Sequence, residues 1–202
     1  MHSITFAIPR LFNAGSSPVE KEAIRKALAT CERTLRSLDR RCRVQRGGTD
    51  QVVFLLPHVF HASSDLAENA AALEPLLECL CDIDLAYRQS LTPAQLTPIS
   101  TEWLSVNPVY YDRTVVWDST PALYARGYGD CKSLACARVS EYRAAGLYAR
   151  PFFRFLPPDQ NPKGQFQYHI LVHAPDGSWE DPSKEKGMEQ NENSYFSAVP
   201  NS

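Results

Sequence analysis

The sequence has no apolar run approaching 18 residues, so no membrane-spanning helix is expected. Its first residues, Met1 to Arg10, lack the basic start and long apolar stretch of a secretory signal. Charge of one sign is also missing. The formal net charge is −2, which gives no nucleic-acid or membrane surface to build on. No acidic calcium-loop pattern is present, and no pair of cysteines has zinc spacing. Cys79-Leu80-Cys81 is too close, and no second pair accompanies it. No metal or cofactor is expected. Internal repeats and low-complexity tracts are absent as well.

What remains is ordinary globular material: 202 residues, 44% hydrophobic and 22% charged, long enough for one domain with a real core. The six cysteines (Cys31, Cys42, Cys79, Cys81, Cys131, Cys136) fall mostly on apparent helices. Without a secretory signal they read as reduced thiols of a cytoplasmic protein, one that could also be delivered or phage-associated. The basic cluster Arg33, Arg36, Arg40, Arg41, Arg43 and Arg46 reads as the solvated face of a helix running into a loop.

Ile4 to Ile8 suggests a short strand. Ser17-Pro18-Val19-Glu20 is a helix start, and the helix runs to about Asp39 with Ile24, Leu28, Cys31, Leu35 and Leu38 on one face. Gly47-Gly48 marks a turn before a short buried strand, Gln51 to Leu56. Ser63-Ser64-Asp65 caps a second helical region to about Ser90, expected to break or kink near Glu74 because Pro75 follows. Leu91 to Pro98 is a linker or short turn. Residues 1–100 thus read as a helical N-terminal layer, 101–188 as the part that bears chemistry, and 189–202 as a polar tail.

The most informative stretch is Gly127-Tyr128-Gly129-Asp130-Cys131-Lys132-Ser133-Leu134-Ala135. It sets a cysteine between a Gly-rich turn and a helix ending near Gly146. The unpaired N–H groups and dipole of a helix start favour a thiolate there. Downstream lie a strand over Gln165 to Ala174 carrying His169, a hairpin turn at Asp176-Gly177, and Asp181 just beyond it. Pairing about this turn makes numbers sum to about 353, which leaves Asp181 diagonal to His169. His173 shares the strand face but sits nearer the turn and water, so His169 is preferred as a base. His58 and His61 read as loop or cap residues, and His2 is terminal. Cysteine, histidine and aspartate in this order fit a nucleophile, its base and the group that orients the base.

These blocks, with Ala145-Gly146-Leu147-Tyr148-Ala149-Arg150 and Asp176-Gly177-Ser178-Trp179-Glu180-Asp181-Pro182-Ser183, resemble the transglutaminase-like cysteine-enzyme superfamily. The resemblance covers about Val109 to Met188, and Asp181 to Met188 is similar to phage- and prophage-type members. It implies an α+β fold with a papain-like core, in which the cysteine starts a central helix packed on an antiparallel sheet bearing the histidine and aspartate. It assigns Cys131, His169 and Asp181 as nucleophile, base and orienter. The family's oxyanion-side residue is not marked here. Trp117 and Asn107 are candidates, beside the backbone N–H of Cys131. The implied reaction is hydrolysis of an amide or peptide substrate through a thioester. Glutamine deamidation or cross-linking by the same chemistry is an alternative, and so is a non-catalytic assembly module on the same fold. Oligomeric state is not legible.

Overall fold

The computed structural model describes residues 2–57, 66–156 and 167–189. The fold is mixed α and β. Strand β1 (His2–Ala7) pairs antiparallel with β3 (Gln51–Leu56), which pairs antiparallel with β2 (Arg43–Arg46). On its other edge β1 runs parallel to β5 (Val116–Asp118), with Phe6 opposite Trp117. The order is therefore β2-β3-β1-β5. Alternation along β3 buries Val52, Phe54 and Leu56 on one face. Phe6 packs between Phe54 and Trp117, with ring centroids 4.7 and 5.3 Å away.

Two strands of this sheet, β1 and β3, lie where the sequence suggests short strands at Ile4–Ile8 and Gln51–Leu56 within the otherwise helical N-terminal hundred residues. Those hundred residues supply three of its four strands, and β5 comes from beyond residue 100. The reading of the basic cluster is corrected, because Arg43 and Arg46 lie on β2. That strand is a charged sheet edge, so its composition hides the apolar alternation by which strands are recognised.

After the short α1 (Pro9–Phe12), α2 (Pro18–Leu38) starts as its sequence predicts. The Ser17 hydroxyl accepts the Glu20 N–H at 3.1 Å, a cap that contributes about 1 kcal/mol. The Glu20 carboxylate does not fold back to the cap. It takes two 2.8 Å hydrogen bonds from Arg10.

Helix α3 (Leu66–Arg88) runs through Pro75 without a break. A proline inside a helix costs about 3 kcal/mol. Here Leu73, Leu76, Leu77, Leu80 and Ile83, all buried, carry one apolar stripe across it, and their burial offsets that cost. The expected cap at Ser63-Ser64-Asp65 lies outside the described residues, as do His58 and His61, residues 157–166 and all but Glu189 of the 189–202 tail.

The second half begins with turns. It then forms β4 (Tyr110–Tyr111), α4 (Thr120–Arg126), β6 (Tyr128–Gly129) parallel to β4, and α5 (Cys131–Ala144). An antiparallel sheet, β7 (Arg150–Leu156), β8 (Gln167–His173) and β9 (Trp179–Glu180), leads into α6 (Pro182–Glu185). Helix α5 packs on α3 and on β8, and is buried along most of its length. Leu134 and Ala137 face a small cluster with Leu104, Val109 and Leu123, while Ala135, Cys136 and Val139 join the main core.

A buried cation fixes α5 against α3. Arg88 is fully buried and donates to Ser140 Oγ at 2.7 Å, Glu141 Oε1 at 3.0 Å and the Glu102 carbonyl at 2.9 Å. Among the described residues, no helix is long and apolar enough to cross a membrane.

Candidate active site

The site is built from the start of α5 and the middle of β8. Helix α4 stops at Gly127, whose φ of 80° is the left-handed conformation that suits glycine. Two residues later, a side chain at Gly129 would collide with buried Leu123, so the approach to α5 has no room for a Cβ. Asp130 is the N-cap and accepts the Lys132 N–H at 3.2 Å. Cys131 is thereby fixed as the first residue of the helix, 7% exposed.

Its Sγ receives the Ile170 N–H from β8 and N–H groups of its own helix turn, all of which favour a thiolate. Burial opposes them and wins, and the Asp181 charge pushes the same way. The thiol is pushed up to about 12. This corrects the expectation that the helix start alone yields a thiolate, because withdrawal from water outweighs a few amide dipoles. At neutral pH Cys131 is a thiol.

His169 lies on β8 beside Ile170 and is also buried. Its Nε2 is 3.0 Å from Asp181 Oδ2. The hairpin produces this contact. Asp176 Oδ1 accepts the Ser178 N–H, Gly177 takes a φ of 84°, and Val172 and His173 pair with Glu180 and Trp179. Strand β9 is only two residues long, so the chain leaves the sheet at Asp181, which caps α6 by accepting the Lys184 N–H at 3.2 Å through Oδ1. One carboxylate thus caps a helix with one oxygen and meets the imidazole with the other. His173 packs on Trp179 near the turn, with ring centroids 4.9 Å apart.

Cys131 and His169 open onto one cavity of about 260 Å³. Tyr111, Arg113 and Thr114 form one wall, and Gln167 and Tyr168 another. Met188, returned by its N–H to the Ser183 carbonyl, closes a side. Residue type gave no sign of these wall residues beforehand.

Lys132 also borders the cavity. Its ammonium contacts the Asp130 carboxylate, donates to the Thr114 carbonyl at 3.2 Å and sits 5.8 Å from the Trp117 ring centre. Burial pulls Lys132 down to about 7, against the nearby Asp118 carboxylate, which favours the charged form.

The two oxyanion candidates with side chains sit elsewhere. Trp117 is core, stacked on Phe6. Asn107 pins its own loop, donating to the Thr101 carbonyl at 2.6 Å and accepting the Val109 N–H at 3.2 Å. Neither lines the cavity. The Ile170 N–H and the N–H groups at the start of α5 are the donors that reach the sulfur.

Compared with known proteins, the chain matches no family model, no curated protein and no solved structure.

Proposed function

We propose that the protein is a cysteine-dependent amide or peptide hydrolase using Cys131, His169 and Asp181. The observation that carries the reading is the 3.0 Å contact of His169 Nε2 with Asp181, beside a cavity that Cys131 and His169 share. The resemblance to transglutaminase-like enzymes points the same way, and the packing of α5 on β8 is compatible with its papain-like core.

With Nε2 turned to Asp181, Nδ1 is the ring nitrogen directed the other way. Because Cys131 rests as a thiol, His169 takes its proton as Sγ attacks the acyl carbon. Asp181 fixes the imidazole tautomer and stabilises the imidazolium that forms. Backbone N–H groups at the start of α5 face the developing oxyanion. His169 then returns the proton to the leaving amine. Water, activated by the same imidazole, hydrolyses the thioester and regenerates the thiol. An amine in place of water gives cross-linking, and a glutamine side chain as the acyl donor to water gives deamidation. These outcomes share every residue named above.

Incubating the full chain with a proteome-derived peptide mixture, with Cys131→Ala as control, tests the reading by mass spectrometry. New peptide termini that depend on Cys131 support hydrolysis. Deamidated glutamine or amine-linked peptides move the assignment to the sister reactions. The burial of Cys131 favours a second reading, a non-catalytic assembly module. No Cys131-dependent change in any peptide is its expected outcome.

A further inference from the structure

Helices α2 and α3 leave a groove between them, far along the chain from the catalytic cysteine. Ala27, Thr30 and Cys31 line it from α2, and Ala71, Pro75 and Cys79 from α3. The two thiols touch through a side-chain hydrogen bond. Each is 3% exposed, and both border the groove, whose volume is about 500 Å³. It shares no lining residue with the cavity at Cys131.

The small residues around the pair matter. Packed helix axes lie about 8–10 Å apart, and Cα atoms sit about 2.3 Å from each axis. Facing Cα atoms on such helices lie about 3.4–5.4 Å apart, a range that overlaps the span of about 4.4–6.8 Å that a disulfide requires. A second thiol pair provides a contrast. Cys81 of α3 and Cys136 of α5 are also in hydrogen-bond contact, but both are fully buried, and Cys136 Sγ is held at 3.5 Å from the Leu77 carbonyl. One pair borders a groove and the other is sealed in the core.

We propose that Cys31 and Cys79 form a dithiol modification site, which closes to an interhelical disulfide by exchange with a small disulfide such as oxidised glutathione. One protein thiolate attacks a glutathione sulfur, breaks the S–S bond and expels a glutathione thiolate. The second protein thiolate attacks the protein sulfur of the mixed disulfide and expels the other glutathione. The two protein thiols are oxidised by two electrons and give up two protons. Oxidised glutathione is reduced to two thiols. The bond fastens α2 to α3, the helix on which α5 rests. Burial pushes the Cys79 thiol up, so exchange quickens as pH rises.

The test is to incubate the native full chain with oxidised glutathione at mildly alkaline pH, quench in acid, block remaining thiols and map the peptides. The expected product is one Cys31–Cys79 linked peptide, with the intact mass lower by two hydrogens. Its melting temperature should rise, and dithiothreitol should reverse the rise. Cys31→Ser should abolish both changes. Wild-type mapping decides the matter even if that variant folds poorly. Four results would overturn the proposal: both thiols remaining free, glutathione staying on one of them, Cys81 linking to Cys136 instead, or the link forming only in urea.

Discussion

His169 Nε2 and Asp181 Oδ2 meet at 3.0 Å because a two-residue strand ends where it does. Had β9 continued, Asp181 would have stayed in the ladder. By leaving the sheet there, the chain turns Asp181 into a helix cap and an imidazole partner at once. Asp181→Asn keeps a side-chain oxygen for the Lys184 N–H but loses the charge. We expect acyl-transfer rates to fall by about 10²–10⁴, with melting temperature nearly unchanged. Asp181→Ala should lose activity and, in addition, about 1 kcal/mol of stability from the lost cap. Rate assays beside thermal melts separate the two effects.

The neutral Cys131 thiol has its own signature. With the thiol pushed up to about 12, the thiolate fraction grows about tenfold per pH unit through the neutral and mildly alkaline range. Iodoacetamide labelling of Cys131, followed by peptide mapping, should climb from pH 7 to about pH 10 with no plateau. A plateau near neutrality would mean a thiolate is already present.

The Arg88–Glu141 pair is fully buried. Removing Arg88 leaves the buried Glu141 carboxylate with Arg138 alone, 3.6 Å from its Oε2. Arg88→Met should destabilise the fold by about 3–5 kcal/mol. Adding Glu141→Leu should recover part of that loss, although the Leu104 N–H then loses its acceptor. Urea melts of the two single variants and the double variant measure the coupling.

Asp84 predicts a pH slope. Burial pushes its carboxyl up to about 7, although Oδ1 accepts the Thr120 N–H at 2.6 Å. The folded state therefore favours the protonated acid. This contribution is fully present below the unfolded pKa near 4 and is lost as pH rises through about 7. Urea melts should show wild-type stability falling by a few kcal/mol between pH 4 and 7.5. Asp84→Asn should flatten that slope.

Much of this was legible in the sequence where local chemistry dominates. Ser17-Pro18 and Asp176-Gly177 specify a cap and a turn through their own side chains and backbone freedom, and both appear as expected. Cys131, His169 and Asp181 were singled out by their order along the chain and by the resemblance, and the hairpin brings the last two together. Non-local pairing was hidden. Nothing near Val116 shows that it will join β1 in parallel, and nothing near Arg43 marks a strand rather than a helix end. Pro75 misled because the local cost of a proline is visible in sequence, whereas the packing that offsets it is not. The thiol's ionisation misled likewise. A helix start can be read from sequence, but the burial of Cys131 beneath β8 belongs to the assembled fold.

Acylation by a p-nitrophenyl ester tests the central claim most directly, because the attacking atom and its base are read together. The full chain should gain one acyl group, mapped to Cys131 as a hydroxylamine-sensitive thioester, and His169→Ala should slow its formation by about a hundredfold or more. An acyl group on another residue, or an unchanged rate in His169→Ala, would contradict the account.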